Sequence, residues 1–202
     1  CGTDPQCAEL GTVSKFDINL NKVIATVRFG KPWNILAVGD DIWVSNGLLN
    51  ISSIFKIDTA TNLPDGTVTL PETSFEPTLG FDGNHLWVGD ASPPSEGGHI
   101  SKIDVETMKV VKTFKSPGIT SMTPVTPYGL IFITSKSRCL PLTDPPGQTG
   151  RIDSSGPAVV VDVLLGKCLT DITFDDTHIW VASTSEIYQI DPTTENSRLT
   201  VR

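Results

Sequence analysis

Three histidines, His85, His99 and His178, carry the chain's acid–base capacity near neutral pH. None stands in an H-E-x-x-H pair, no serine lies in a G-x-S-x-G turn, and no glycine-rich phosphate loop is present. Catalysis would have to be assembled from His99 with Glu96 and Asp90, the carboxylates that precede it in the same segment. Three histidines leave little acid–base capacity, so the sequence leans away from an enzyme. Four cysteines, Cys1, Cys7, Cys139 and Cys168, lack C-x-x-C spacing and a histidine pair to match, which argues against a zinc site. Their even number, in a chain rich in glycine and proline, reads as two disulfides in an oxidising compartment.

The elements that must position these groups are repeated. A first motif reads Lys15-Phe16-Asp17, Lys56-Ile57-Asp58, Lys102-Ile103-Asp104, Arg151-Ile152-Asp153 and Gln189-Ile190-Asp191, at intervals of 41, 46, 49 and 38 residues. A second runs Asp41-Ile42-Trp43-Val44, His85-Leu86-Trp87-Val88, Leu130-Ile131-Phe132-Ile133 and His178-Ile179-Trp180-Val181, its aromatics 44, 45 and 48 residues apart, a common register that predicts all four aromatics buried at equivalent places in the repeats. Two motifs keeping step over the chain define a repeat of supersecondary size. In the second repeat the strand candidates are 34–38, 41–45, 54–58 and 67–70, four short strands as in a propeller blade. The apolar alternation of Val23, Ala25, Val27 and Phe29 predicts one buried face for the segment 22–29. Each motif aspartate is read as a turn-former that accepts hairpin N–H groups rather than as a metal ligand. His85 and His178 share the repeat position of Asp41, which reads as a place in a turn.

Repeats of the form D-x-I-W-V followed by K-I-D-x-x-T resemble those of virginiamycin B lyase-like, NHL and YVTN propellers. The resemblance runs from Gly11 to Arg202. It implies an all-β β-propeller of four-stranded blades and leaves activity open, since such blades serve lyases, lactonases and binding proteins alike. The chain reads as one domain, 1–202, with residues 1–10 as an amino-terminal extension. Four full blades are accompanied by an amino-terminal outer half-blade, 13–17 and 22–29. Closure is then four-bladed or five-bladed, or is completed by a second chain or a further piece. An oligomer completing the ring is one of the partners considered.

Ligands of such rings bind where the innermost strands begin. Nine residues before each motif aromatic stand Asn34, Thr78, Thr123 and Asp171, all polar, which predicts a ring of ligand-binding side chains around the axis. With one anion among four, strong calcium binding is not expected, and a divalent cation such as calcium is the sole cofactor weighed. The long connections 90–98 and 135–150 fall on the same face, and insertions confined to one face point to binding. Topology also brings Cys139 and Cys168 to that face, predicting a disulfide between them. Cys1 and Cys7 then pair, or Cys1 carries a lipid.

The net charge of −8 argues against nucleic acid, whose binding rests on cationic side chains. No apolar run is long enough to span a bilayer. A start at Cys1-Gly2-Thr3-Asp4 resembles a bacterial lipoprotein, and the expected location is secreted, periplasmic or cell-surface. Asn50-Ile51-Ser52 is a glycosylation sequon where the source is eukaryotic. The expected function is a binding module for a protein or for a small-molecule or carbohydrate ligand. The alternative is a metal-assisted lyase or lactonase.

Overall fold

The computed structural model describes residues 11–48, 51–71, 76–90, 98–116, 118–123, 129–134, 147–152, 159–165, 168–193 and 197–201. Cys1, Cys7, Asn50, Glu96, Cys139, Asp153 and most of both long connections lie outside them. The described residues form strands joined by turns and irregular segments, and no helix among them is long and apolar enough to cross a membrane.

Strands β1 (Thr12–Asp17) and β2 (Lys22–Arg28) make a two-stranded sheet. The first four-stranded sheet follows with β3 (Pro32–Val38), β4 (Asp41–Leu48), β5 (Ile51–Asp58) and β6 (Leu63–Thr69). The second holds β7 (Thr78–Phe81), β8 (His85–Gly89), β9 (Gly98–Asp104) and β10 (Lys109–Ser116). The third holds β11 (Ser121–Met122), β12 (Leu130–Thr134), β13 (Gln148–Ile152) and β14 (Val159–Leu164). The fourth holds β15 (Leu169–Phe174), β16 (Ile179–Ser183), β17 (Ile187–Ile190) and β18 (Ser197–Val201). Each is an antiparallel meander in sequence order. Four blades and an outer half-blade are thus present as the repeats predict.

The third-to-fourth-strand hairpins show why the K-I-D motif recurs. Asp17 Oδ1 accepts the N–H groups of Asn19 and Leu20, Asp58 Oδ1 those of Ala60 and Thr61, and Asp104 Oδ1 those of Glu106 and Thr107. Asp191 repeats the bond with Thr193. Four residues after each of the first three aspartates the chain turns left-handed, at Asn21, Asn62 and Met108. A β-bulge then follows beside Lys15/Phe16, Lys56/Ile57 and opposite Lys102/Ile103. The Thr61 backbone and hydroxyl hold the Asp58 carboxyl below the usual carboxylate range, and the Thr107 backbone and hydroxyl do the same for Asp104. These carboxylates are occupied as turn acceptors.

Adjacent sheets interlock through side chains of opposite parity. Trp43 lies in a buried cluster with Leu79, Leu86, Val88 and Ile103 of the second sheet. Leu86 and Val88 face back, while Trp87 faces forward with Ile100 toward Met122, Phe132 and Ile152. Ile131 and Ile133 then meet Ile172, Ile179, Val181 and Ile190. The half-blade rests on the first sheet through Val13, Val27 and Phe29 against Val44 and Ile57. None of these clusters joins the fourth sheet to the half-blade among the described residues.

Three expectations are corrected. The third motif aromatic is one residue out of register: Trp43 pairs with Lys56 and Trp87 with Lys102, but Arg151 pairs with Ile131, while Phe132 lies opposite Gly150 and faces back. Successive strand residues point to opposite faces, so this slip of one reverses the ring's direction. Trp43, Trp87 and Phe132 are buried, whereas Trp180 is half-buried, because it points away from the third sheet and no described cluster covers it. Val23 is 55% exposed: the bulge leaves Ile24 without a partner and removes Val23 from the face shared by Val27 and Phe29.

Candidate functional site

The inner strands β3, β7, β11 and β15 are neighbours in that order, as an arc about a common axis requires. Asn34 pairs with Ser45, Thr78 with Gly89 and Asp171 with Ala182, each two residues past the strand's tryptophan. These three predicted side chains therefore hold one register position on their blades.

Thr123 does not share it. Its side chain is fully buried, its hydroxyl accepts the Ile131 N–H at 3.2 Å, and its own N–H reaches the Ile131 carbonyl. The one-residue slip of β12 and a longer connection before it place Ser121 opposite Ile133 instead, two residues past Ile131. Ser121 was missed because stepping back from Phe132 carries the slip along. The signal for it lies in Gly150, which stands opposite the Phe132 ring where the first and fourth blades set Val44 against Phe55 and Val181 against Tyr188.

Cross-blade bonds tie this rim together. Ser121 Oγ donates to Asp171 Oδ1 at 2.9 Å, joining the third and fourth sheets. The Asn34 side-chain carbonyl accepts the Leu79 N–H at 3.2 Å, joining the first and second. Ser45, fully buried, donates to the Pro77 carbonyl at 2.5 Å and accepts the Asn34 N–H at 3.0 Å. The rim thus offers the Asn34 amide, the Ser121 hydroxyl and the Asp171 carboxylate, while Thr78, at the same register position, is buried.

The catalytic candidates stand at the same end of the second sheet, on the stems of the 91–97 segment. His99 Nδ1 is 3.9 Å from Asp90 Oδ2, beyond a hydrogen bond, and Asp90 is 1% exposed. The Asp90 N–H donates to the His99 carbonyl and the Asp90 carbonyl accepts from Ile119, which anchors the stem to the next blade. A Cβ on Gly98 would fall 2.9 Å from Asp90 Oδ1 and 3.1 Å from the Gly118 Cα, so glycine is what permits this close approach. Glu96 lies outside the described residues, and no cluster of three metal-ligating side chains occurs among them.

His85 and His178 take the turn position predicted for them. Asp82 Oδ1 accepts the Asn84 and His85 N–H groups while Oδ2 accepts the Trp87 indole at 2.7 Å. Asp175 makes the same set with Thr177, His178 and Trp180. The Thr177 hydroxyl and the Trp180 indole hold Asp175 far below the ordinary carboxylate range. Burial pushes the Asp82 carboxyl up, but the Trp87 indole, the Asn84 and His85 amides and the His85 ring outweigh it and leave it lowered. Cys168 is disulfide-bonded, with its partner cysteine outside the described residues.

No family model matches the chain, and no curated protein matches it. Solved structures do. Kuenenia stuttgartiensis hydrazine synthase is similar at a TM-score of 0.71 and 16% identity, over 94% of this chain and 60% of that one. The Neurospora crassa Pan2 WD40 domain is similar at 0.66 and 14%, over 95% and 60%. The Dos1 propeller is similar at 0.66 and 12%, over 95% and 53%. The chain spans six-tenths or less of the length of these structures. At such identities the likeness establishes architecture alone, and that architecture is a β-propeller.

Proposed function

We propose that this propeller is a secreted or surface-tethered binding module that recognises a protein, or a small-molecule or carbohydrate ligand, at the rim where its inner strands begin. The reading is carried by the rim itself: Asn34, Thr78, Ser121 and Asp171 hang on neighbouring inner strands, with Ser121 and Asp171 bonded across blades. Hydrogen-bonding groups that already share a fixed frame lose little freedom on meeting a ligand. Two neutral groups, Asn34 and Ser121, and one carboxylate suit a hydroxyl- or amide-bearing partner better than a polyanion. Calorimetric titration of an oligosaccharide panel and of candidate surface proteins tests this. Ser121→Ala and Asp171→Ala are expected to weaken any binding at least tenfold, and binding untouched by both would overturn the rim as the site.

A metal-assisted lyase or lactonase of the virginiamycin B lyase-like type is favoured by one observation, the approach of His99 to Asp90 beside the 91–97 segment. A ligand that binds only the folded state raises the melting temperature by mass action. Melting the protein with calcium, magnesium, manganese or zinc, and again with chelator, therefore separates the readings. A chelator-reversible rise that is lost in His99→Ala would favour the enzyme, and no rise would count against it.

Secretion and the Cys139–Cys168 bridge belong to the same proposal. Non-reducing peptide mapping is expected to recover the Cys139 and Cys168 peptides joined. A Cys1–Cys168 or Cys7–Cys168 peptide would refute the pairing.

A further inference from the structure

Three side chains where the first and second blades begin carry groups that the fold does not use. Trp33 is the extra residue of a bulge at the start of β3: Pro32 pairs with Asn46 and Asn34 with Ser45, so Trp33 has no partner across the strand. It is 56% exposed. The indoles of Trp87 and Trp180 donate to Asp82 and Asp175, whereas that of Trp33 makes no hydrogen bond among the described residues. Asn34 beside it is held by one end only. Its side-chain carbonyl accepts the Leu79 N–H at 3.2 Å, which leaves its NH2 group as a donor without a partner among the described residues.

Glu76 stands where the chain enters the second blade, two residues before Thr78. Its φ of 52° lies in the left-handed region, which strains a residue other than glycine. Burial pushes its carboxyl above the ordinary glutamate value, and no hydrogen bond or ion pair among the described residues offsets that. Backbone bonds hold Glu76 and Trp33 in one frame. The Lys31 carbonyl accepts the Gly47 N–H at 3.1 Å, Asn46 Oδ1 accepts the Lys31 N–H, and Ser45 donates to the Pro77 carbonyl. Gly47 lies against the Glu76–Pro77 step: a Cβ there would stand 3.4 Å from Pro77 Cδ and 3.9 Å from the Glu76 nitrogen. Neither Trp33 nor Glu76 belongs to a core cluster among the described residues. A strained backbone and a desolvated carboxyl both cost stability, and the packing of the blades gives no return for either.

We infer that Trp33, Asn34 and Glu76 form a carbohydrate subsite of the rim, an inference that rests on the rim being the binding face. The exposed indole takes the apolar C–H face of a pyranose ring, the Glu76 carboxylate accepts from the sugar's hydroxyls, and the Asn34 NH2 group donates to them. A hydroxyl both donates and accepts, and this set supplies a partner for each role. A cationic ligand would also be drawn to an aromatic face and a carboxylate, but it meets the donor hydrogens of Asn34 and the Lys31 charge two residues before Trp33. The Glu76 carboxyl is already partly stripped of water, so a sugar hydroxyl that reaches it replaces little hydration and supplies the donor it lacks.

Calorimetric titration of the intact chain with neutral tetra- to hexasaccharides of glucose, mannose, galactose and N-acetylglucosamine tests this. At least one series is expected to bind saturably, with affinity at least tenfold weaker in Trp33→Ala and in Glu76→Gln and partly restored in Trp33→Phe. The melting temperature of Trp33→Ala should stay near the parent's, because the ring is exposed. In Glu76→Gly it should hold or rise while affinity falls, since glycine takes the left-handed backbone without strain and leaves no carboxyl to desolvate. Saccharide binding that Ser121→Ala or Asp171→Ala weakens but Trp33→Ala and Glu76→Gln leave unchanged would overturn the subsite and keep the rim as the binding face. Absence of saccharide binding would overturn it too, and a surface protein bound through Ser121 and Asp171 would then still uphold the rim. A melting temperature lowered in Glu76→Gly would assign the carboxylate to the fold and overturn the inference as well.

Discussion

Replacing Trp87 by alanine is expected to lower stability by about 3–5 kcal/mol, the cost of emptying a large buried aromatic site. The indole is 1% exposed, stacks on Phe114 at 6.1 Å between centroids, carries the Lys102 ammonium over its face and donates to Asp82. Its removal empties the space between the second and third blades and also strips a carboxylate of its indole partner. Urea unfolding followed by circular dichroism checks this, with the midpoint falling and the slope unchanged. Trp180→Ala serves as control: the same motif residue is only half-buried, so the loss should be markedly smaller. Equal losses would show that burial between blades is not what the motif tryptophan contributes.

Asp82→Ala is expected to cost about 2–3 kcal/mol, because three N–H donors converge on a carboxylate and lose it together. The pH dependence has a definite sign. The folded-state pKa of Asp82 is lowered, so its contribution is present above the unfolded value, near 4, and is lost as pH falls through the folded value. Stability of the parent should therefore decline below about pH 4. In Asp82→Asn the decline should be shallower without vanishing, since Asp58, Asp104 and Asp175 are lowered in the same way. Melting curves between pH 2 and pH 7 decide the matter, and identical pH slopes for parent and variant would defeat it.

The fold was legible because its cues are local. Lys-x-Asp sets a hairpin through bonds within a few residues, as Asp58 and Asp104 show, and so repeats visibly along the chain. What misled is non-local. Phe132 looks like a motif aromatic, but it stands one residue out of register, opposite Gly150 across the sheet, with a longer connection before β12 than the other blades have. The same slip put Thr123 in the predicted rim in place of Ser121, while Asn34, Thr78 and Asp171, whose blades keep register, were placed at one position. The Asp-x-x-His turns were read from their histidines alone. Asp82 and Asp175, the residues that organise them, went unremarked because indole contacts five residues on leave no pattern in composition.

Phe132's reversal also decides where the molecule would crack under load. With Trp87 and Phe132 both driven into the seam between the second and third blades, the next seam is left with aliphatic buried members, Ile131, Ile133, Leu165, Leu169, Ile172, Ile179, Val181 and Ile190, and its rings, Phe174 and Tyr188, are only partly buried against them. Stacked repeats hold together through nearest-neighbour contacts, and buried rings contribute beyond their area. Pulled from its ends, the arc gives way first at this seam, which has no fully buried ring among the described residues, and the fourth blade comes away as a unit while the tryptophan-bound blades stay joined.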